Sequence, residues 1–178
     1  MLNYFLNDST ISKLRMGYGF DSHPFLSAAE QFAMPERPLV LGGVRIPYDR
    51  SLQGHSDSDV VIHAVIDALL GAAALGDIGQ HFPDTQTTLK NIDSRILLRE
   101  IKTKLKAANF SINNIDITLM AHRPKLAPYR EAMCQHLAED LDLQPSQISV
   151  KFTTNNGLGF VGRQEGIAAA AVVLMRGR

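Results

Sequence analysis

The segment VVIHAVIDALLGAAAL, residues 60–75, constrains the fold most, because a helix formed from it is apolar around nearly its whole circumference. The preceding residues 56–59, SDSD, are of the types that cap helix N-termini and complement the helix dipole there. His63 and Asp67 interrupt the segment, which is too polar and too short to cross a membrane. The sequence therefore predicts one buried helix around which the domain is built.

The remaining predicted elements are strands and helices in alternation. Alternating apolar residues predict strands, Gly42-Gly43 predicts a hairpin turn, and apolar residues at helical spacing predict two further helices. The predicted strands cover residues 17–22, 38–47, 112–119 and 148–152, and the helices begin at residue 93 or 94 and at residue 128. The tail GIAAAAVVLM stays open, since alanine favours helix and valine favours strand. The pattern predicts an α+β fold, a mixed β-sheet with helices packed on one face.

Length and charge limit the class of protein further. The chain of 178 residues is expected to form a single domain over residues 16–178, with residues 1–15 as an N-terminal extension and a candidate for disorder. Residues 27–37 are interpreted as a surface loop. Lys plus Arg equals Asp plus Glu at 18 each, so no overall basic field favours nucleic acid or a membrane. One cysteine and no signal or transit pattern predict a bacterial cytoplasmic protein.

Three residues form a candidate metal site. Asp21 and His23 lie two apart in an extended segment, so their side chains can approach one ion together, although a turn held by Asp21 is an equally simple interpretation. Asp59, His63 and Asp67 share one face of the apolar helix, where burial costs several kcal/mol unless the groups are paired or bound to metal. A core histidine with an acidic partner therefore stays open. Three ligands with a free fourth position are typical of catalytic zinc.

Two further motifs concern phosphate. His55 and Ser56 precede the apolar helix, whose first-turn N–H groups favour anions, although His55 also fits a solvent-facing loop. Gly157, Gly159 and Gly162 match G-x-G-x-x-G, but the chain ends before the acidic residue that the dinucleotide fingerprint requires. These glycines therefore favour a tight loop beside the hydroxyls of residues 153 and 154, or a plain turn between strands.

Taken together, the motifs resemble the 2-C-methyl-D-erythritol 2,4-cyclodiphosphate synthase family of the non-mevalonate isoprenoid pathway. The segments that carry the resemblance, in chain order, are GYGFDSHPF, GGVRIPY, GHSDSDVVIHAVIDALLGAAALGDIGQHFPDT, DSRILL, PKLAPY and FTTNNGLGFVGRQEGIA. The resemblance covers nearly everything from Gly17 onward, and residues 54–85 are its most specific part.

The resemblance implies a cyclising phosphoryl transfer. In this family the 2-phosphate of 4-diphosphocytidyl-2-C-methyl-D-erythritol 2-phosphate attacks the phosphorus nearest the methylerythritol, which releases CMP and closes a cyclic diphosphate. Such chemistry needs in-line alignment and cations more than covalent help. The implied cofactors are one zinc ion per subunit, held by Asp21, His23 and His63, and magnesium or manganese bound with the substrate.

The resemblance also implies roles for individual residues. His55 and Thr154 are the implied catalytic residues, and Ser56 and Thr153 bind phosphate oxygens. The other implied substrate-binding residues are Asp77 and Gly79 for ribose, Ile78, Phe82 and Asp84 for methylerythritol, and Ala121, Pro124, Lys125 and Leu126 for cytosine. The helical spacing separately suggests that Asp67 orients a ligand histidine.

The family resemblance further implies a homotrimer around a central β-walled channel, lined by Phe160 and Arg163, with active sites between subunits. One position departs from the family pattern. Where an acidic residue usually meets magnesium, this chain has Asn156. An uncharged oxygen ligand binds a hard dication more weakly, so a raised magnesium requirement is predicted.

Two other functions stay open on the sequence. A zinc-dependent hydrolase would use the same three ligands to activate water and would release inorganic phosphate. A binding protein for nucleotides or isoprenoid diphosphates would retain the fold without the reaction. The complete set of zinc-ligand types argues against that second alternative, and the altered residue 156 argues slightly for it.

Overall fold

A computed structural model describes residues 13–177. Its strands are β1 (Leu14–Pro24), β2 (Leu39–Leu41), β3 (Val44–Ile46), β4 (Phe110–Met120), β5 (Ile148–Thr153) and β6 (Gly166–Gly177). Its α-helices are α1 (Ala28–Ala33), α2 (Val60–Ala73), α3 (Ile78–His81), α4 (Ser94–Ala107), α5 (Arg130–Leu141) and α6 (Gly159–Gly162). Short 3-10 helices lie at Thr87–Leu89, Ala127–Tyr129, Pro145–Gln147 and Asn155–Gly157. None of the helices within residues 13–177 combines the length and hydrophobicity that a bilayer crossing requires.

The main sheet is mixed and has the strand order β1-β6-β4-β5. Strand β6 pairs antiparallel with β1 and β4, while β4 and β5 pair parallel. Strands β2 and β3 form a separate hairpin through Gly42 and Gly43, both with positive φ. The predicted α+β class, the mixed sheet and the hairpin are therefore confirmed.

The predicted central helix is α2, which is buried along most of its length. It packs closely on β1 because Gly17 and Gly19 have no side chains. A Cβ atom on either glycine would collide with backbone oxygens of α2, Ala68 O and Ala64 O respectively. Close approach of the two backbones brings polar residues of β1 near those of α2.

Asp59 joins the hairpin to the start of α2. As the N-cap residue, it accepts hydrogen bonds from the N–H groups of Val61 and Ile62, at 3.0 and 3.1 Å. The same carboxylate accepts from Gly42 and Gly43 of the hairpin, at 2.8 and 2.6 Å. Four backbone donors thus satisfy this wholly buried group, which explains why an acid is tolerated on the apolar helix.

Among residues 13–177, no helix packs on the opposite face of the sheet, which carries exposed side chains. Its exposed apolar side chains include Met16 (76% exposed), Tyr18 (63%), Phe20 (46%) and Val172 (39%). Tyr18 lies directly opposite Val172 across β1 and β6, so these residues form one continuous patch. In the part of the chain that the structure describes, helices therefore cover one face of the sheet, as predicted.

Three sequence expectations differ from the structure, which also resolves the tail that the sequence left open. Strand β1 begins at Leu14 rather than at residue 17, because Leu14–Met16 pairs with the last residues of β6, so the expected extension 1–15 ends inside a strand. Residues 1–12 of that extension lie outside the described residues. The expected loop 27–37 contains α1, with Ser27 and Glu30 forming a capping box. The ambiguous tail is the strand β6, and Pro128 lies in a 3-10 turn before α5.

Candidate metal centre and substrate cavity

Asp21, His23 and His63 converge at one edge of the sheet. Asp21 and His23 extend from β1 on the side that faces α2, and His63 extends from the first turns of α2. Asp21 Oδ2 lies 3.1 Å from His23 Nε2 and 3.0 Å from His63 Nδ1, and the two ring nitrogens are 3.3 Å apart. The predicted grouping of these three residues is present, and it forms a cluster able to hold a metal ion.

The second ring nitrogen of each histidine is fixed by a neighbour. His23 Nδ1 lies 2.6 Å from the carbonyl oxygen of Gln53, which can only accept, so Nδ1 carries the proton and Nε2 presents a lone pair. His63 Nε2 lies 3.0 Å from Ser94 Oγ, whose own proton is donated to Asp57 Oδ1 at 2.5 Å. Ser94 therefore accepts from Nε2–H, which leaves Nδ1 of His63 with a lone pair.

The charges within the cluster depend on one another. Burial alone would raise the pKa of Asp21, but in the metal-free protein an imidazole that is protonated on the nitrogen facing Asp21 donates a hydrogen bond to this carboxylate, and these bonds and the imidazolium charge hold the pKa of Asp21 well below its usual range. Burial alone would lower the pKa of His63, but the hydrogen bond and charge of Asp21 raise it. Asp21 is therefore ionised near neutral pH, and protons compete with any metal ion for His63.

The donor set fits zinc. Tetrahedral zinc with bonds of about 2.0–2.1 Å places neighbouring ligand atoms about 3.3 Å apart. The three ligand atoms here are 3.0–3.3 Å apart, and both imidazoles present a lone pair to the same point. Two nitrogens and one oxygen also match the ligand preferences of zinc, with a fourth position left for substrate or water.

A cavity of about 310 Å³ opens beside the cluster. It is lined by nine of the predicted site residues, namely Asp21, His23, His55, Ser56, His63, Ile78, Gly79, Phe82 and Asp84. Apolar side chains of Leu89, Ile92 and Leu97 complete its walls. The cavity therefore combines an apolar lining with a few convergent polar groups, as small-molecule sites do.

The helix α3 contributes Ile78 and Gly79 to this cavity. Asp77 is its N-cap residue and accepts a hydrogen bond from the N–H of Gln80 at 3.0 Å. Asp67 of α2 accepts from the N–H of Ile78 at 2.8 Å. The suggestion that Asp67 orients a ligand histidine is therefore wrong. Its side chain instead holds the start of α3 against the helix that carries His63, and helical spacing alone cannot distinguish these two partners.

The two phosphate candidates lie in the turn before α2. Ser56 Oγ is 3.2 Å from His63 Nε2, so this hydroxyl borders both the metal cluster and the cavity. His55 is half-buried, and its ring Nε2 lies 3.0 Å from the carbonyl oxygen of Gln86. The backbone oxygen of His55 accepts from the N–H of Asn91 at 2.8 Å.

The other predicted site residues form a second group at the same edge of the sheet. Ala121 N donates to the carbonyl oxygen of Thr153 at 2.9 Å, so the proposed cytosine segment adjoins the Thr-Thr pair. Register places Ser22, Ala168, Met120 and Thr153 in one row across four strands. Three strand spacings put Thr153 about 14 Å from β1, so within one chain this group is separate from the cavity beside the metal cluster.

Ala121, Pro124, Lys125 and Leu126 lie in the segment after β4, where Leu126 is buried in the core, and Thr153, Thr154 and Asn156 lie at the end of β5 and in the turn after it. Asn156 has a positive φ of 50°, and its N–H lies 3.4 Å from Thr154 Oγ1. Further along the chain, Phe160 is 38% exposed, and Arg163 forms an ion pair with Glu165 at 2.8 Å.

Sequence reasoning missed the residues that orient the histidines. Ser94 was expected only as an alternative helix cap, a role that Asp93 fills. Asp57 was expected as first-turn charge, yet it lies before α2 and accepts from Ser94 Oγ and from Ser94 N at 3.0 Å. Two polar residues at separate helix starts gave no indication that Asp57 would hold Ser94 or that Ser94 would contact His63.

Fold and site together define an α+β protein with a candidate metal centre of the catalytic type, three ligands beside an open cavity. Comparisons with known proteins specify the family. The family model described as YgbB family matches residues 14–176. A curated 2-C-methyl-D-erythritol 2,4-cyclodiphosphate synthase from Laribacter hongkongensis is 53% identical over 165 residues, which cover 93% of this chain and 97% of that protein.

Solved structures agree with that match. A Plasmodium falciparum IspF structure, described as a CDP complex, is 32% identical, has a TM-score of 0.78 and covers 93% of this chain and 97% of its own. The bifunctional IspDF from Campylobacter jejuni is 42% identical with a TM-score of 0.85; the match covers 93% of this chain but 43% of that longer protein. The chain belongs to the YgbB family of 2-C-methyl-D-erythritol 2,4-cyclodiphosphate synthases, which confirms the resemblance seen in the sequence.

Proposed function

We propose that this enzyme converts 4-diphosphocytidyl-2-C-methyl-D-erythritol 2-phosphate to 2-C-methyl-D-erythritol 2,4-cyclodiphosphate and CMP in the non-mevalonate isoprenoid pathway. The observation that carries the proposal is the convergence of Asp21, His23 and His63 beside a cavity that His55 and Ser56 also line, in a chain of this family. A cavity of this size accepts the methylerythritol part of the substrate together with the adjoining phosphates.

The reaction exchanges one phosphorus–oxygen bond for another. An oxygen of the 2-phosphate forms a bond to the phosphorus nearest the methylerythritol, and the bond from that phosphorus to the oxygen bridging to CMP breaks. The electron pair of the broken bond leaves with CMP. Binding groups that hold both phosphates in line supply most of the rate enhancement that such a transfer needs.

The residues of the chain have distinct parts in this proposal. Ser56 Oγ and the His55 imidazole bind phosphate oxygens from the turn before α2, with Thr153 and Thr154 binding the nucleotide side. Ile78 and Phe82 enclose the methylerythritol, and their apolar surfaces exclude water that would otherwise hydrolyse the diphosphate.

Zinc at Asp21, His23 and His63 would orient one phosphate and polarise it as a Lewis acid. The family resemblance implies magnesium or manganese with the diphosphate, for which Asn156 offers an amide oxygen where the family pattern usually has a carboxylate. A bacterial cytoplasmic location stays a prediction from the sequence.

The proposal includes a homotrimer around a central β-walled channel. Two observations support an assembly. The open sheet face carries a patch of exposed apolar residues that includes Met16, Tyr18 and Phe20, of the kind that marks contact surfaces. The separation of about 14 Å between Thr153 and β1 also favours sites completed by a second subunit, in which one chain supplies the metal cluster and its neighbour the cytosine segment.

Product analysis tests this function directly. Purified protein is incubated with the cytidine substrate, zinc and magnesium, and phosphorus NMR follows the products. The proposal predicts CMP and the cyclic diphosphate in equal amounts. Inorganic phosphate in place of the cyclic product would identify a hydrolase, and binding of CDP without any turnover would identify a binding protein. Analytical ultracentrifugation of the same preparation tests the trimer.

A further inference from the structure

A second and larger cavity, of about 570 Å³, lies on the other side of the turn that carries the phosphate candidates. Arg37 lines this cavity, and its guanidinium contacts residues 52–58. Its hydrogen bonds go to Leu52 O (3.1 Å), Gly54 O (3.2 Å), Ser56 O (2.7 Å), Ser58 Oγ (2.8 Å) and Asn91 Oδ1 (2.9 Å). One side chain thus contacts four residues of a single turn.

The turn needs such support because no backbone–backbone hydrogen bond joins two residues within 52–58, and its backbone partners lie in other segments of the chain. Ser58 has a positive φ of 62°, a conformation that non-glycine residues adopt only when their surroundings hold them there. The backbone of Arg37 is itself anchored, since the Ser51 hydroxyl donates to its carbonyl oxygen. Arg37 is therefore a fixed point against which residues 52–58 are held.

The side chain of Arg37 also contacts Asn91, a residue outside the turn that hydrogen-bonds to it. Asn91, with a positive φ of 57°, accepts from Arg37 Nη1 through its side chain and donates its N–H to the carbonyl oxygen of His55. His55 and Ser56 are thus held through their backbone oxygens, by Asn91 and by Arg37, while their side chains face the cavity beside the metal cluster.

A guanidinium is suited to this task. Its planar fork directs several N–H groups at once to carbonyl oxygens on different residues, which a single lysine ammonium cannot match. Each backbone oxygen that loses its donor in a partly buried position is destabilised, so the turn would shift to recover hydrogen bonds from water. A shift of this kind moves the Ser56 hydroxyl relative to His63.

We propose that Arg37 is a positioning residue for the reaction, which sets His55 and Ser56 at the phosphates without contacting substrate. The inference rests on the proposed function for the roles of those two residues. It assigns to Arg37 the alignment of the phosphates, and leaves metal ligation and the binding of CMP to other elements of the chain.

The test compares Arg37→Gln with Arg99→Gln, a matched control. Arg99 also donates to a buried acceptor, Asp140 at 2.7 Å, but lies on α4 away from residues 52–58. The inference predicts that Arg37→Gln lowers kcat by about 10–100-fold, as misalignment by about 1 Å does. The zinc content at saturating zinc and the dissociation constant of CMP change less than about twofold, because the three zinc ligands lie on β1 and α2 and the cytosine segment follows β4, all outside this turn.

Hydrogen exchange provides a readout that does not need turnover. Amides in residues 53–58 are expected to exchange about tenfold faster in Arg37→Gln, and at the parent rate in Arg99→Gln. Arg37→Lys should recover part of kcat at most. If Arg37→Gln does not fold, Asn91→Gly replaces it, because glycine keeps the positive φ while the Nη1 partner is lost.

Two results would overturn the inference: kcat of Arg37→Gln within about threefold of the parent, or unchanged exchange in residues 53–58. Loss of zinc and of CMP binding together with kcat would also overturn it, since that describes a general structural role. A parent protein that releases no CMP would instead refute the proposed function, and hydrogen exchange would still decide the role of Arg37.

Discussion

Asp21 Oδ2 lies 3.0 Å from His63 Nδ1, although the two residues are 42 positions apart in the chain. The contact exists because Gly17 and Gly19 let β1 lie directly against α2, the helix that carries His63. Asp21 then bridges the two imidazoles with one oxygen. The cluster therefore depends on the packing of two backbones as much as on the three ligand residues.

That dependence predicts the effect of Gly19→Ala. The added methyl group would collide with the carbonyl oxygen of Ala64, a rigid backbone atom of α2, so β1 and α2 must separate. We expect a loss of about 3 kcal/mol in the free energy of unfolding, measured by urea denaturation, together with weaker zinc binding.

Gly71→Ala is the matched control, since a Cβ atom there meets nothing within 4 Å. Because Gly71 lies inside α2, alanine should stabilise the protein by up to about 1 kcal/mol through helix propensity. Equal effects of the two substitutions on stability and on zinc binding would disprove the close-packing argument.

Ser94→Ala tests how His63 is oriented. The substitution removes the hydroxyl that accepts from His63 Nε2–H and links it to Asp57. Zinc affinity, measured by competition with a chelating dye, should fall about 10–100-fold, as is typical when a partner of a ligand histidine is lost. Thr103→Ala on the same helix removes a hydroxyl that donates to the carbonyl oxygen of Arg99, away from the cluster, and it should leave zinc affinity unchanged.

The dependence of zinc binding on pH follows from the charges of the cluster. In the metal-free protein the pKa of His63 is raised above 6.5 by Asp21, whereas the pKa of Asp21 is lowered from 3.8. Zinc must displace the proton of His63, so its affinity should be constant above that raised pKa and fall about tenfold per pH unit below it.

In the metal-free protein, by contrast, the contribution of His63 to the stability of the fold decreases as pH rises. A raised pKa means that His63 contributes stability below 6.5, which is lost as pH rises through its folded pKa. The increase in Tm caused by zinc should therefore grow from about pH 5 to about pH 8. A zinc effect on Tm that is independent of pH would contradict this account of the cluster.

Asn156→Glu tests the departure from the family pattern. Restoring a carboxylate at this exposed position should lower the magnesium concentration that gives half-maximal activity, because a hard dication prefers charged oxygen ligands. Asn155→Glu is the control, since it adds the same charge one residue away. An Asn156→Glu variant with unchanged magnesium dependence would count against a magnesium ligand at residue 156.

The sequence alone predicted much of the fold, for reasons that particular elements make clear. Helix α2 and the β2–β3 hairpin were predictable because apolar periodicity, an acidic cap and two glycines all favour the same local structure. The strand β6 was not predictable, because its four alanines favour a helix and only pairing with β1 and β4 on both sides makes them extended. Tertiary context overrides propensity there.

The candidate site was likewise predictable from the sequence only in part. Residue type and spacing indicated Asp21, His23 and His63 as candidates, the family resemblance implied that they hold zinc, and the structure brings the three together. The roles of Ser94, Gln53 and Arg37 were not predictable. Gln53 contacts His23 through its backbone oxygen, Ser94 contacts His63 through its hydroxyl oxygen, and Arg37 binds backbone oxygens such as that of Leu52. Contacts of these kinds leave no pattern in the sequence. Asp67 shows the reverse error, since its spacing from His63 suggested a contact that Ile78 N takes instead.

The most direct test of the central claim, that Asp21, His23 and His63 form the metal centre of a cyclising synthase, compares the parent protein with His63→Ala. His136→Ala, on α5 and outside the cluster, is the control. With the cytidine substrate, zinc and magnesium, the parent and the control should release CMP and the cyclic diphosphate in equal amounts, while His63→Ala binds no zinc and loses nearly all turnover. Equal turnover of the parent and His63→Ala would contradict the account.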